Sequence, residues 1–197
     1  MSQLLKRFRL ISRNYDERRR FCIGGKEVGN EEVLDRLISE YSSRLIKYCY
    51  SILGNYHDAE DAVQNTFLKL YYRLGKIQNE EAVAAYMYRV AYTIGIDILR
   101  NRKRHHELQD RYGRYIEGMP GTYEMDASRG CISEPLYMAL MQLKPADRAL
   151  VHAVAVEQLS YREVSVILQK SEAALRKRYE RAMKKVRQYL EEREGDM

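Results

Sequence analysis

From Glu31 onward the apolar residues recur at steps of three and four, the spacing of one face of an α-helix. Val33, Leu34, Leu37, Ile38, Tyr41, Leu45, Tyr48, Cys49 and Ile52 form a first stripe, which closes at Gly54-Asn55. Asp58 is placed to cap a second helix, with Glu60 and Asp61 in its first turn, where acids complement the unpaired amides. Ala62, Val63, Phe67, Leu70, Tyr71 and Leu74 make its inner face, and Gly75 suits its C-terminal end. After a polar loop, Lys76–Asn79, a third helix is predicted from about Glu80 to Arg104. Its core face is Val83, Met87, Val90, Ala91, Ile94 and Ile98, and Tyr86, Tyr88, Arg89, Tyr92 and Thr93 fall partly outside that stripe. Three amphipathic helices make a small bundle.

The periodicity fails between about His105 and Glu134, where Gly113, Gly118, Pro120, Gly121 and Gly130 interrupt a polar run. We read a flexible linker there, longer than one compact domain needs. Apolar spacing resumes with Leu136, Leu140, Met141 and Leu143, and Pro145 opens a further helix with Ala149, Leu150, Ala153 and Val154 inside.

The densest pattern lies at Leu159–Arg187. Ser160-Tyr-Arg-Glu163 is a capping box before the face Val164, Ile167 and Leu168. Gln169 or Lys170 must then make the turn usually given to glycine. Ser171 caps a second helix, with Glu172 on its positive end and Leu175, Tyr179, Ala182 and Val186 facing inward. Arg176, Lys177, Arg181, Lys184, Lys185 and Arg187 occupy the other face, with Arg178 nearby. A basic face alone is usually a solvated surface. Joined to two short helices and a tight turn, it reads as a helix-turn-helix whose second helix fits a major groove. With no strand-like alternation anywhere, the expected fold is all-α: two small helical domains, 31–104 and 135–197, joined by a flexible linker at 105–134. Residues 1–30 precede them as a basic arm, with a short amphipathic helix expected near Leu4–Ile11.

Charge sharpens this picture. The chain of 197 residues has a net charge of +6 at neutral pH, which favours a polyanionic partner. Residues 31–97 are nevertheless mildly acidic, with about ten acids against about seven bases. The positive excess therefore sits in the arm, in the run Arg100–Arg104 and on the last helix. Flat tyrosine rings beside Arg89 suit stacking on unpaired bases, although core-edge packing with wet hydroxyls is the plainer reading of such residues.

Catalytic chemistry finds little footing. Cys22, Cys49 and Cys131 are widely spaced, which gives no zinc pattern, and Cys49 on an apolar face reads as a core filler. His57, His105, His106 and His152 are scattered, and no phosphate-cradling glycine loop or nucleophile elbow occurs. No enzyme activity, metal or cofactor is expected. Lys6, Arg7 and Arg9 interrupt any apolar signal segment, and free thiols suit a cytoplasmic protein.

Three motifs, in one order, then resemble a family. DAEDAVQNTFLKLY (Asp58–Tyr71), AYMYRVAYTIGIDILRNRKR (Ala85–Arg104) and LSYREVSVILQKSEAALRKRYERAMKKVRQYL (Leu159–Leu190) resemble the bacterial extracytoplasmic-function sigma factors, the small members of the sigma-70-type family. The resemblance covers about two-thirds of the chain. It implies a transcription-initiation subunit that binds core RNA polymerase and recognises −10 and −35 promoter elements, and it admits an anti-sigma partner. By resemblance, Asp58, Asp61, Gln64, Asn65, Phe67 and Leu68 face the polymerase. Lys76, Asn79, Tyr86, Arg89, Tyr92, Thr93, Arg100, Arg102, Lys103 and Arg104 face the melted −10 element. Arg148, Ser171, Glu172, Arg176, Lys177, Arg178, Arg181 and Lys184 face the −35 duplex. The chain departs from the family where Tyr86 replaces a usual Trp, Thr93 a common Asn, Gln169-Lys170 the turn's glycine-hydrophobic pair and Ala174 a usual Thr, so its promoter sequence does not transfer from relatives. An operator-binding regulator would explain Leu159–Arg187 but leaves Asp58–Tyr71 and the Tyr-rich helix without a task. An α-helical interaction protein, membrane-associated through Met1–Arg20, leaves all three motifs unexplained.

Overall fold

The helix periodicity is largely realised, although Val90, Ile94 and Ile98 of the third stripe are only partly buried. The computed structural model describes residues 20–23, 26–74, 77, 80–112 and 134–194. Helix α1 (Asn30–Leu53) buries the whole of its predicted stripe except Tyr41. It ends where Gly54 takes a left-handed φ of +67° and donates its amide to Tyr50 O at 2.8 Å. Helix α2 (Tyr56–Arg73) is capped by Asn55, whose Oδ1 accepts from the Asp58 amide at 3.1 Å. That corrects the expectation that Asp58 is the cap. Asn55 holds the extended backbone a cap requires, and Asp58 lies inside the first turn. Helix α3 (Glu80–Tyr112) crosses α1 closely, because a Cβ on Gly95 would meet Ile52 Cγ2 at 3.3 Å.

Two expectations change here. Helix α3 runs eight residues past Arg104, so His105–Tyr112 are helix and not linker. No glycine or proline stands between Arg104 and Gly113, and pairs such as Lys103 with Glu107 (3.7 Å) support a turn that lacks an apolar face. The rest of the predicted linker, 113–133, lies outside the described residues, as do residues 1–19 with the helix expected near Leu4–Ile11. The second change is a hairpin inside the arm. Strands β1 (Arg20–Ile23) and β2 (Lys26–Gly29) pair antiparallel, Arg20 opposite Gly29 and Ile23 opposite Lys26. The Gly24-Gly25 between them is a hairpin signal too short to show alternation. The all-α expectation holds for both helical units.

The C-terminal unit contains α4 (Glu134–Met141), α5 (Pro145–Val151), α6 (Tyr161–Leu168) and α7 (Glu172–Glu194). Pro145 opens α5, and a π-helical turn, His152–Val156, extends it. Ala139, Leu143, Val151, Ala182 and Val186 form a cluster within this unit. A second, larger cluster crosses between the units, joining Ala149, Leu150, Ala153, Val164, Ile167, Leu168 and Leu175 to the bundle of α1, α2 and α3. Helix α3 is therefore buried on more than its predicted face. Tyr88, expected at the stripe's edge, is only 2% exposed because the C-terminal unit covers it. The segment Ala82–Glu107 is long and apolar enough to cross a membrane by length and composition alone. The burial of Val83, Met87, Tyr88 and Ala91 in the core accounts for that apolarity.

Candidate nucleic-acid and polymerase interfaces

The helix-turn-helix is assembled by local bonds that the sequence announces. Glu163 accepts the Ser160 amide at 2.7 Å, and Ser160 Oγ accepts the Glu163 amide at 3.3 Å, which completes the capping box. Gln169 makes the turn with φ 53° and ψ 49°, a left-handed conformation that glycine would adopt more easily. Ser171 Oγ accepts the Ala174 amide at 3.4 Å and starts α7. Leu175, Ala182 and Val186 turn inward, and Ser171, Glu172, Arg176, Lys177, Arg181 and Lys184 are exposed as predicted. Arg176 lies 4.6 Å from the centre of the Tyr161 ring and 4.0 Å from Glu172, so it is oriented without being neutralised in a buried pair. Arg181 Nε donates to Lys177 O at 3.2 Å.

Two predicted members of this surface point elsewhere. Arg178 is partly buried in an ion pair with Asp147, which ties α7 to α5. Arg148 donates Nε to Ser51 O and Nη2 to Ile52 O, both at 2.6 Å, and Nη1 to Leu143 O at 2.8 Å. Its burial pushes the guanidinium below its ordinary value. The last carbonyls of α1 lack helical partners and carry the negative end of the dipole, so they recruit this cation. Arg148 is an interdomain cap in this structure, and Arg178 an internal strut.

On α3 the Tyr86 ring is flanked by two guanidinium groups, Arg89 at 5.7 Å and Arg73 at 5.9 Å from its centre. Arg73 ends α2 and was not among the predicted site residues, because only the crossing of α2 and α3 brings it to Tyr86. Thr93 is exposed and donates Oγ1 to Arg89 O at 2.9 Å, while Tyr92 is half-buried. Lys76 and Asn79 lie outside the described residues. The basic run at the end of α3 is largely engaged: Arg100 with Asp97 at 3.3 Å, Arg102 with Asp58, Lys103 with Glu107, and Arg104 with Asn101 at 2.5 Å.

The set predicted to face the polymerase divides. Asp61 and Asn65 are exposed, Gln64 and Leu68 half-exposed, and Asn65 donates to Asp61 O at 2.9 Å. Phe67 is fully buried with Val63 and Leu70. It points at the neighbouring helices and not outward, so it is a packing residue. Asp58 is held by Arg102 across α2 and α3. Cys49 is buried, and burial pushes its thiol up to about 12, which suits a core filler and not a nucleophile.

Sequence reasoning missed the most elaborate polar cluster. Glu157 follows the π-helical turn, and its side chain is 4% exposed. It accepts from Arg44 of α1 at 2.7 Å and from the Tyr88 hydroxyl of α3 at 2.7 Å, with His152 Nε2 3.5 Å away. Burial by itself pushes this carboxyl up. The His152 imidazole and the hydrogen bonds from Tyr88 and Arg44 outweigh it and hold the group at about 2. No spacing in the chain links residues 44, 88 and 157. A single acid in an otherwise uncharged stretch, Ala153–Tyr161, was the available signal.

Comparisons with known proteins agree on both halves of the chain. Residues 37–105 match the family described as Sigma-70 region 2, and residues 133–186 match Sigma-70, region 4. The chain is 29% identical over 162 residues to the ECF RNA polymerase sigma factor SigE of Mycolicibacterium smegmatis, covering 79% of this chain and 61% of that protein. It is 23% identical over 172 residues to SigW of Bacillus subtilis, covering 82% of this chain and 91% of that one. Among solved structures, the sigma factor RpoE of Bartonella quintana, crystallised with the anti-sigma factor NepR, has the same fold. The TM-score is 0.59 at 19% identity, over 81% of this chain and 98% of that one.

Proposed function

The chain belongs to the sigma-70 family, in its extracytoplasmic-function branch, and we propose that it directs core RNA polymerase to promoters with −10 and −35 elements. The observation that carries this reading is the outward face of α7. Arg176, Lys177, Arg181 and Lys184 stand exposed there on a helix whose apolar side is fully used. Such a helix enters the major groove of the −35 element, its guanidinium groups reaching phosphates and base edges. The Arg73–Tyr86–Arg89 stack, with Thr93 and Tyr92 beside it, receives unpaired bases of the −10 element on a flat ring between two cations. Lys76 and Asn79 belong by resemblance to the segment that reads the −10 element, and the run Arg100–Arg104 holds the DNA backbone nearby. Asp61, Gln64, Asn65 and Leu68 form the polymerase-facing side of α2, a polar and apolar mixture suited to an interface. The role is one of positioning in the cytoplasm and assigns this chain no catalytic step, metal or cofactor. An anti-sigma protein completes the list of partners, as RpoE has in NepR.

Run-off transcription tests the reading directly, with purified core polymerase on fragmented host DNA, with and without the protein. Protein-dependent transcripts with defined starts are the expected result, and their upstream sequences give both elements. Duplex binding without any transcript would instead indicate an operator-binding regulator.

A further inference from the structure

We propose that Tyr161 is a positioning residue for −35 readout: its ring clamps Arg176, so that this guanidinium enters the groove already aimed, and the base it reads is a guanine. The inference rests on the initiation-factor reading for the identity of the duplex and on contacts inside the helix-turn-helix for the clamp.

The ring is fixed from two sides. Tyr161 is the first residue of α6, and the capping box between Ser160 and Glu163 pins the backbone on which it stands. From α7, Tyr179 meets the Tyr161 ring edge-on, with centres 6.2 Å apart and planes at 84°. Tyr179 itself packs against both apolar clusters, so the core braces the ring through it. The Arg176 guanidinium lies over this ring at 4.6 Å from its centre, against 5.7 and 5.9 Å for the two guanidinium groups beside Tyr86. Glu172, one turn earlier on α7, steadies the same group at 4.0 Å. The Arg176 side chain is nevertheless 60% exposed. It is fixed in direction and open to a ligand.

The neighbouring cations of α7 lack this combination. Arg178 is tied to Asp147, and Arg181 donates Nε to Lys177 O. Lys177 and Lys184 are exposed, but an ammonium group has no planar fork. Position points the same way. Arg176 is the fifth residue of α7, and the N-terminal residues of a groove-bound helix are the ones that reach base edges. A guanidinium fork matches the paired O6 and N7 acceptors of guanine, which no other base presents in the major groove. A flexible arginine loses rotamer freedom when it docks. The clamp removes that freedom before DNA arrives, which favours binding in the one pose where the fork meets guanine. Because the attraction comes from the face of the ring, the hydroxyl is dispensable and the ring is not.

The test titrates holoenzyme, assembled with the full chain, onto a promoter identified by run-off transcription and onto its single-base −35 variants. Tyr161→Leu should lose about tenfold in preference for guanine at one −35 position, with an unchanged salt slope because every cation remains. Tyr161→Phe should keep the preference. Arg176→Lys should lose it, and adding Tyr161→Leu should cost no more than either change alone. In the free chain, the Cδ protons of Arg176 should show an upfield ring-current shift that Tyr161→Phe keeps and Tyr161→Leu abolishes. A loss spread evenly over all base variants, additive losses in the double variant, or a Tyr161→Phe chain that behaves like Tyr161→Leu overturns the positioning role. Absence of the shift in the wild-type chain overturns the clamp, whether or not Tyr161→Leu folds. A lost preference for any base other than guanine overturns the assignment of the base. If holoenzyme yields no transcripts, while duplex selected by the chain alone still shows a guanine preference that depends on Tyr161, the initiation-factor reading falls and the clamp stands.

Discussion

Helices α3 and α7 both carry dense runs of basic residues, and the fold engages them to different degrees. At the end of α3, Arg100, Arg102, Lys103 and Arg104 each find a partner within reach, and Arg102 crosses to Asp58 on α2. Along α7, Lys177 and Lys184 stay exposed, and Arg176 touches its own helix only at 4.0 Å. The two basic runs are alike exposed, and the helices differ in burial only along their core-facing parts. Helix α3 is enclosed by α1, α2 and the C-terminal unit, whereas the residues of α7 with negligible exposure are Leu175, Ala182 and Val186. Three of the α3 contacts lie within the helix itself, to Asp97, Glu107 and Asn101, three or four residues away. The difference therefore comes from the acids and the amide spaced along α3 and from the one crossing pair, Arg102 with Asp58. Charge content is set by sequence, and its availability by which partners stand within a turn of each cation and, for Arg102 and Arg178, by the helix alongside.

The strongest way to break the comparison is through packing. Met87→Ala removes a fully buried side chain where the two units share a core, and should cost about 2–5 kcal/mol. Urea melting followed by signals from each unit should show both losing stability together. A loss confined to the bundle would mean that the units do not fold on a common core. By contrast, Arg176→Ala with Arg181→Ala should change stability by no more than ~0.5 kcal/mol, since both side chains are exposed. The same pair should weaken duplex binding about 10- to 100-fold and lower the salt slope by roughly two. Duplex affinity that keeps its salt slope would take α7 out of the groove.

Between these extremes stands the Asp58–Arg102 pair. Asp58→Asn frees Arg102 from its acid and should raise affinity for single-stranded or duplex DNA by a few-fold. The accompanying stability change should stay below about 1 kcal/mol, because both side chains retain water. Binding that does not change, or weakens, would show that Arg102 has no part in holding DNA. This single substitution moves the end of α3 toward the condition of α7 and so tests the comparison from within.

How legible all this was depended on range. The capping box at Ser160 and Glu163, the glycine end of α1 and the inward Leu175, Ala182 and Val186 follow from neighbours within a turn, and the sequence states them. The continuation of α3 to Tyr112 was hidden because a turn held by charge pairs has no apolar period. Arg148, Arg178 and Phe67 lie elsewhere than their helical spacing suggests, and Arg73 was overlooked, for one reason. Each is placed by a helix distant in the chain, and helical spacing does not say which of two polar faces a second unit will cover. The buried Tyr88 and the Glu157 cluster are the extreme case, joining positions 44, 88 and 157 that no local pattern relates.

The smallest expected effect lies at the turn that aims α7. Gln169 holds a left-handed backbone that costs an L-residue about 1–2 kcal/mol, and glycine relieves that strain while losing more freedom on folding. Gln169→Gly should therefore stabilise the chain by up to about 1 kcal/mol, read as a small rise in the urea midpoint with an unchanged slope. Gln169 is exposed, and the stability gain needs no new contact. If duplex affinity stays constant as the midpoint rises, the turn acts only by fixing the angle between α6 and α7. If affinity falls while stability rises, the strained residue holds the exposed basic face in a pose that a relaxed turn abandons, and the difference between α7 and α3 then lies in orientation as well as in pairing.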